Sequence, residues 1–555
     1  MVEIDWKKIA RSGVLWGFIG FAIGASVVWW PMLTGSTLFG ALFQFILTTI
    51  GFAFTLRSQV GWLAFGGIVL IGMSGLTGRD LSGKPFGHAF NCFTAFIIGW
   101  SLSRGLIYFL LDAAFFRGSV ATLPFLLGAI LIAGIVGQLT VTPISFRNDG
   151  WSPKNSARAI SLTTVLVVAL LLFLPNLTAV AGLQAYPPEK PSTGYGSGDS
   201  PYEVAEYSFS PEYPESMTAW WDDWALEQEW KVYVFVPVGV AEESVGVAVL
   251  LHGYQGEPLE FYYDSLLSLA GQGLVVIYPQ YVSDMDLSSV ADDFELNYTL
   301  GGSDHPQHQP RYTMALHGVD AAFDFIAGDA SVRETLGEAE VDTDHLWIGG
   351  HSMGVGTTFY VMSELLGRGM GSESFVVDLE APWIHATQPE LMGNMSLIPD
   401  HALIQIVEYE TELVVEKCIG RWQHARLWAR DSATPLPAEQ VLFLQVQTDY
   451  HGFPRLIASH YLPATIIRES LADNSYYPRL EAQADYIASS AWDDEDGADA
   501  AKQWFMTEGE MTDLGEWSDG VAVKPIKIVE SPLEIDDGAL EACPTSPAIA
   551  GDTED

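Results

Sequence analysis

The chain has 555 residues, room for two to four domains, and a formal net charge of −43 at pH 7 from 69 acidic and 26 basic side chains. Binding phosphates needs clustered Lys and Arg, so this balance excludes a nucleic-acid partner. The three cysteines, Cys92, Cys418 and Cys543, form no Cys-x-x-Cys pair, which excludes a thiolate metal site and a disulfide framework.

The charge is divided along the chain. Residues 1–185 carry 11 Lys+Arg against 5 Asp+Glu, and residues 186–555 carry 15 against 64. The acids of the second part are spread over its whole length, the pattern of a protein adapted to high salt, where screening removes self-repulsion. The first part holds six apolar segments, at about 12–33, 36–56, 61–77, 87–111, 119–143 and 159–182. A spanning helix needs roughly 20 apolar residues. The expectation is therefore a multi-span α-helical membrane domain over residues 1–185, with five or six transmembrane helices and membrane lipids as partners. Its role is read as an anchor, with Asp112 marking an interface at the end of the fourth segment and Arg104 pairing with a carbonyl or a lipid phosphate. Lys7, Lys8 and Arg11 place the N-terminus inside, and Arg147, Lys154 and Arg158 do the same for the loop before the last segment. Five crossings satisfy both and put the following domain on the extracellular face of a cell membrane. The sequons at Asn176, Asn297 and Asn394 lean the same way. Residues 186–229 form a linker leading into the next domain, beginning with the Pro/Gly/Ser/Tyr-rich stretch Tyr186 to Tyr202.

Residues 230–492 read as alternating strands and helices. Trp230 to Pro237 is a strand rich in β-branched and aromatic residues. Val245 to Leu251 is a continuous apolar run, as in a parallel sheet buried on both faces, and it ends in His252-Gly253-Tyr254. A helix (Tyr262 to Gly271), a strand (Gly273 to Pro279), a long polar loop and a helix (Tyr312 to Ala327) follow. His305 and His308 in the loop lack a third ligand, so no metal is expected.

Leu346 to Gly356 then carries Gly350-His351-Ser352-Met353-Gly354 between a strand and a helix. This is the G-x-S-x-G nucleophile elbow, in which a strained turn projects the serine above the sheet. It makes Ser352 a candidate nucleophile and the Met353 N–H an oxyanion donor; the Tyr254 N–H, after its strand, is the second donor. Beyond it lie a strand (Ser374 to Trp383), a strand ending in acids (His401 to Glu412), a helix (Val415 to Arg430) and Val441 to Gly452. The order Ser352, acid, His451 is that of α/β-hydrolases. His460 is the main rival of His451.

Residues from about 230 to 455 resemble the cutinase-like and dienelactone-hydrolase-like branch of the α/β-hydrolases, which includes polyester hydrolases. The resemblance rests on Gly253-Tyr254, Leu269 to Ile277, Gly350 to Gly354 and Ala381-Pro382-Trp383. It implies a mostly parallel, doubly wound sheet. In that family the acid follows a Leu-Ile-x-x-x-Glu-x-Asp strand, which Leu403 to Glu410 matches with Glu410 in the Asp place; Glu412 and Asp378 are the alternates. The resemblance also implies that the Tyr254 and Trp383 rings line the acyl site, and His351, next to the serine, is a further candidate substrate-binding residue. The expected activity is hydrolysis of ester, thioester or small amide bonds, without a cofactor, through an acyl-enzyme at Ser352. The alternative is an inactive hydrolase-fold module that binds or senses. Tyr476 to Trp492 reads as a last helix and Asp493 to Asp499 as an acidic breaker. Residues 493–555 form an acidic extension, disordered from Ser531 onward.

Overall fold

The computed structural model of the chain describes residues 6–33, 96, 182–213, 230–254, 256–283, 308–383, 393–412, 414–430, 434–452, 454–465 and 468–532. The chain divides into two compact units, residues 1–186 with His451–Pro454, and residues 187–450 with 455–555.

In the first unit a helix, α1 (Trp6–Leu33), covers the first apolar segment. Its 28 residues include Lys7, Lys8 and Arg11 near the start, and glycines and a serine dilute its apolar stretch. Among the described residues, no helix is long and apolar enough to cross a membrane. The expected multi-span membrane domain is corrected accordingly. The other five apolar segments, with Arg104, Asp112 and Asn176, lie outside the described residues, apart from Phe96 and Gly182.

The second unit is built on a nine-stranded sheet: β1 (Val204–Phe209), β2 (Val232–Pro237), β3 (Ser244–Leu251), β4 (Val275–Pro279), β5 (Glu340–His351), β6 (Ser374–Glu380), β7 (Leu403–Tyr409), β8 (Val441–Val446) and β9 (Lys527–Ile528). The spatial order is β1-β2-β4-β3-β5-β6-β7-β8-β9. Strands β3 to β8 pair in parallel, whereas β1, β2 and β9 join antiparallel at the two sides. The expected mostly parallel α/β sheet is therefore present.

Alternation along the strands sends side chains to two covered faces. Val247, Val249 and Ile348 join a core with Met314 of α3 (His308–Gly328) and Phe359 of α5 (Gly354–Gly367). On the other face Trp347 Nε1 donates to Gln483 of α8 (Tyr477–Ala491) at 2.8 Å. Helix α2 (Tyr263–Gly271) connects β3 to β4 and packs against α8. Each buried Val, Leu or Ile in these strands contributes roughly 1.5–3 kcal/mol, so continuous apolar runs suffice to define the sheet.

Three elements depart from the sequence reading. Residues 187–202, expected as a linker, dock on the second unit: the Gly196 N–H donates to Glu481 at 2.6 Å, Tyr195 hydrogen-bonds Asp485, and Tyr202 packs edge-on against Trp492. A short helix, α4 (Ala330–Leu336), precedes β5, capped by the Asp329 side chain, which accepts from Ser331 and Val332. The acidic run after Trp492 starts a helix, α9 (Glu495–Met506), because Asp494 accepts the Gly497 N–H and Glu495 and Asp496 oppose the positive helix end. Helices α6 (Lys417–Ala429) and α7 (Ser470–Ser475) complete the unit. Buried Cys418 in α6 is disulfide-bonded, whereas Cys92 and Cys543 lie outside the described residues.

Candidate active site

Strand β5 delivers Ser352 to the end of the sheet, where its φ of +56° places a non-glycine residue in left-handed backbone. Such a conformation persists only where the surroundings over-determine it. Here the Ser352 N–H donates to the Glu380 carbonyl at 2.9 Å, and the Ser352 carbonyl accepts from Trp383 at 3.1 Å and Val355 at 3.0 Å. The two elbow glycines are required by space. A Cβ on Gly354 would lie 2.2 Å from the Leu251 carbonyl oxygen, and one on Gly350 would lie 2.4 Å from Thr358 Oγ1. Close packing of Gly354 against the end of β3 brings the His252-Gly253-Tyr254 loop beside Ser352. A Cβ on Gly253 would sit 3.1 Å from Ser352 Cβ.

Both expected oxyanion residues are at this junction. Among the described residues the Met353 N–H, at the head of α5, donates to no acceptor. Tyr254 follows Gly253, and a third group accompanies them that the sequence reading missed. Buried Arg311, in the first turns of α3, holds its guanidinium 6.0 Å from the Tyr254 ring centroid and 3.4 Å from Met353 Sδ, and it donates to the Ser283 carbonyl. Burial lowers its pKa, opposed by Tyr254, Tyr312 and Tyr281. Nothing local marks this arginine, because a long loop separates α3 from the strand it follows.

The acid and histidine arrangement is set by the segments after β7 and β8. Thr411 and Ser459 form a parallel bridge, and the Thr411 N–H donates to the Ala458 carbonyl at 2.8 Å. One residue further along each segment, Glu412 and His460 therefore emerge together. His460 Nδ1 lies 2.9 Å from Glu412 Oε2, with the two side chains 5% and 2% exposed. The second Glu412 oxygen accepts the N–H groups of Val414 at 2.7 Å and Val415 at 3.1 Å. Burial pushes the Glu412 pKa up, but His460 and these two N–H groups outweigh it and hold the carboxyl below its ordinary value. A carboxylate acceptor fixes the His460 proton on Nδ1 and leaves Nε2 as an acceptor.

Glu410 and His451 are placed differently. Glu410 is exposed, and its carboxylate accepts the Thr448 N–H at 2.7 Å rather than meeting a histidine. His451 is exposed and belongs to the short segment grouped with the first unit. Asp378 is buried in β6, 3.4 Å from Arg479 and 3.2 Å from Gln483. Burial and the neighbouring Glu380 push its pKa up to about 7, although Arg479 acts in the opposite direction. Arg479 pairs with both Glu380 and Asp378. Burial beside a second carboxylate, with a single guanidinium between the two, disfavours the charged form of Asp378.

Trp383 is partly buried and held against the elbow by its N–H bond to the Ser352 carbonyl. His351 is buried below the turn. Its Nε2 lies 2.7 Å from the His460 carbonyl oxygen and its Nδ1 2.7 Å from the Tyr262 hydroxyl. Burial, then the nearby His460, drives its pKa well below the ordinary value, so the ring is neutral. Among the described residues no group of three or more His, Cys, Asp or Glu is arranged to hold a metal ion, and His305 lies outside them.

No protein-family model matches the chain, and no curated protein matches it. Among solved structures, an esterase from Rhizomucor miehei aligns over 54% of this chain and 87% of its own, at 10% identity and a TM-score of 0.31. A hyperthermophilic esterase from Pyrobaculum calidifontis aligns over 53% and 85%, at 12% identity and a TM-score of 0.32.

Proposed function

We propose that the second unit is a serine hydrolase that cleaves carboxylic esters by acyl transfer, with Ser352 as nucleophile, His460 as base and Glu412 as the acid. The observation that carries this reading is the buried His460–Glu412 pair, packed against the residue that precedes a strained elbow serine. His460 Nε2 takes the Ser352 proton as Oγ attacks the carbonyl carbon. Glu412 holds the imidazole in the required tautomer and stabilises its cationic form. The oxygen that gains charge is received by the N–H groups of Met353 and Tyr254, each worth about 3 kcal/mol in the transition state. The Arg311 guanidinium beside both residues adds positive potential in a region from which water is withdrawn. His460 then returns its proton to the leaving alkoxide, and water, activated by the same imidazole, releases the acid. Thioesters and activated small amides fit the same sequence of steps. An inactive binding module has no need of a buried carboxylate on the histidine or of a serine in strained backbone.

The test is labelling of the full-length protein with a fluorophosphonate probe. Wild-type protein is expected to become covalently labelled and Ser352→Ala to stay unlabelled; labelling that persists in Ser352→Ala would refute the assignment.

A further inference from the structure

His351 is a candidate substrate contact from its place beside Ser352, yet its ring is buried and both nitrogens are occupied. The bonds run as one chain. The Gly253 N–H donates to the Tyr262 hydroxyl at 3.1 Å, the hydroxyl donates to His351 Nδ1 at 2.7 Å, and the Nε2–H donates to the His460 carbonyl at 2.7 Å. Polarity fixes each direction, because a carbonyl can only accept and an amide N–H can only donate. At one end is the loop that carries the Tyr254 oxyanion donor; at the other is the backbone of the histidine paired with Glu412. All the side chains along the chain are buried. Strand β5 anchors its middle, since His351 is in register with Glu380 of β6.

We infer that His351 is a positioning residue that ties the oxyanion loop to the His460 backbone through Tyr262, so that donor and base are held in one geometry about Ser352. This inference rests on the Ser352–His460–Glu412 reading. The loop after β3 and the segment ending at His460 are otherwise separate in sequence and belong to no common element. Neighbouring bonds in such a chain polarise one another, and loss of the middle member leaves the Tyr262 hydroxyl proton and the His460 carbonyl without these buried partners. The oxyanion donor and the base both act in the transition state. A loosened chain therefore lowers kcat while leaving ground-state binding, and so KM, nearly unchanged.

The experiment compares His351→Leu, His351→Gln, Tyr262→Phe and the Tyr262→Phe/His351→Leu double variant in the full-length protein. Steady-state hydrolysis of a p-nitrophenyl ester and the rate of fluorophosphonate labelling are the readouts, with thermal unfolding to confirm the fold. His351→Leu should lower kcat on the order of 10²-fold, the usual cost of misplacing reacting groups by about 1 Å. KM should stay within about threefold. Glutamine keeps one donor and one acceptor, so His351→Gln should recover most of the loss. The double variant should be no slower than His351→Leu alone, because both changes cut the same chain. A His351→Leu kcat within about threefold of wild type, glutamine no better than leucine, or multiplicative losses in the double variant would each overturn the inference. If His351→Leu does not fold, Tyr262→Phe carries the test, and a wild-type kcat there overturns it. Labelling that persists in Ser352→Ala condemns the underlying reading; loss of labelling there with an unimpaired His351→Leu condemns only this inference.

Discussion

Glu410, Glu412 and Asp378 show how environment, rather than residue type, assigns a carboxylate its task. Glu410 is exposed and caps the Thr448 N–H. Asp378 is buried beside Glu380 with a shared arginine, so its charged form is disfavoured. Glu412 is buried too, but it gains a histidine and two backbone N–H groups, and its pKa falls. A folded-state pKa below the unfolded value means that the carboxylate adds stability at pH above the unfolded pKa. That contribution is lost as pH falls through the lowered folded value. Glu412→Gln should therefore unfold more easily than wild type at pH 7, by about 2 kcal/mol for a charge-assisted bond. The gap should close as pH falls below the ordinary glutamate value of 4.5. The same substitution should lower kcat roughly 10⁴-fold through the wrong histidine tautomer, whereas Glu410→Gln and Asp378→Asn stay near wild type. Thermal melts across pH, with hydrolysis rates beside them, check both statements.

At the scale of elements, legibility followed locality. Strands β3 to β8 were readable because each contains a short buried run, in β5 only its second half from Leu346, that a sheet covered on both faces can bury. The elbow was readable because two glycines, each two residues from the strained serine, answer to steric contacts within one strand–turn–helix unit and its neighbour, Leu251. The partners of Ser352 were not fixed by such contacts. Which acid meets which histidine is decided by the Thr411–Ser459 bridge between segments 48 residues apart. A strand pattern ending at Glu410 carries no information about that register. Arg311 and Tyr262 were missed for the same reason: each reaches the site from an element whose own sequence shows only ordinary helix. The acidic run after Trp492 was misread in the opposite sense, since acids that repel within a loop become stabilising once they stand at a helix N-terminus.

At the scale of the whole molecule, two features of composition met different outcomes. The apolar N-terminal third led to an expected membrane domain, and no described helix is long and apolar enough to cross a bilayer. The acidity of the remainder is a property of the chain whatever its fold: residues 186–555 carry 64 acids against 15 bases. Repulsion among so many exposed carboxylates falls as the screening length shrinks from about 10 Å at 0.1 M salt to about 3 Å at 1 M. The unfolding midpoint should rise steeply with KCl over that range, and a midpoint independent of salt would show that the acids are locally compensated. Which histidine serves Ser352 can be read from the rate of fluorophosphonate labelling. His460→Ala should abolish rapid labelling of Ser352 while His451→Ala labels at the wild-type rate. The reverse result, fast labelling in His460→Ala and none in His451→Ala, would make His451 the base and overturn the assignment of His460.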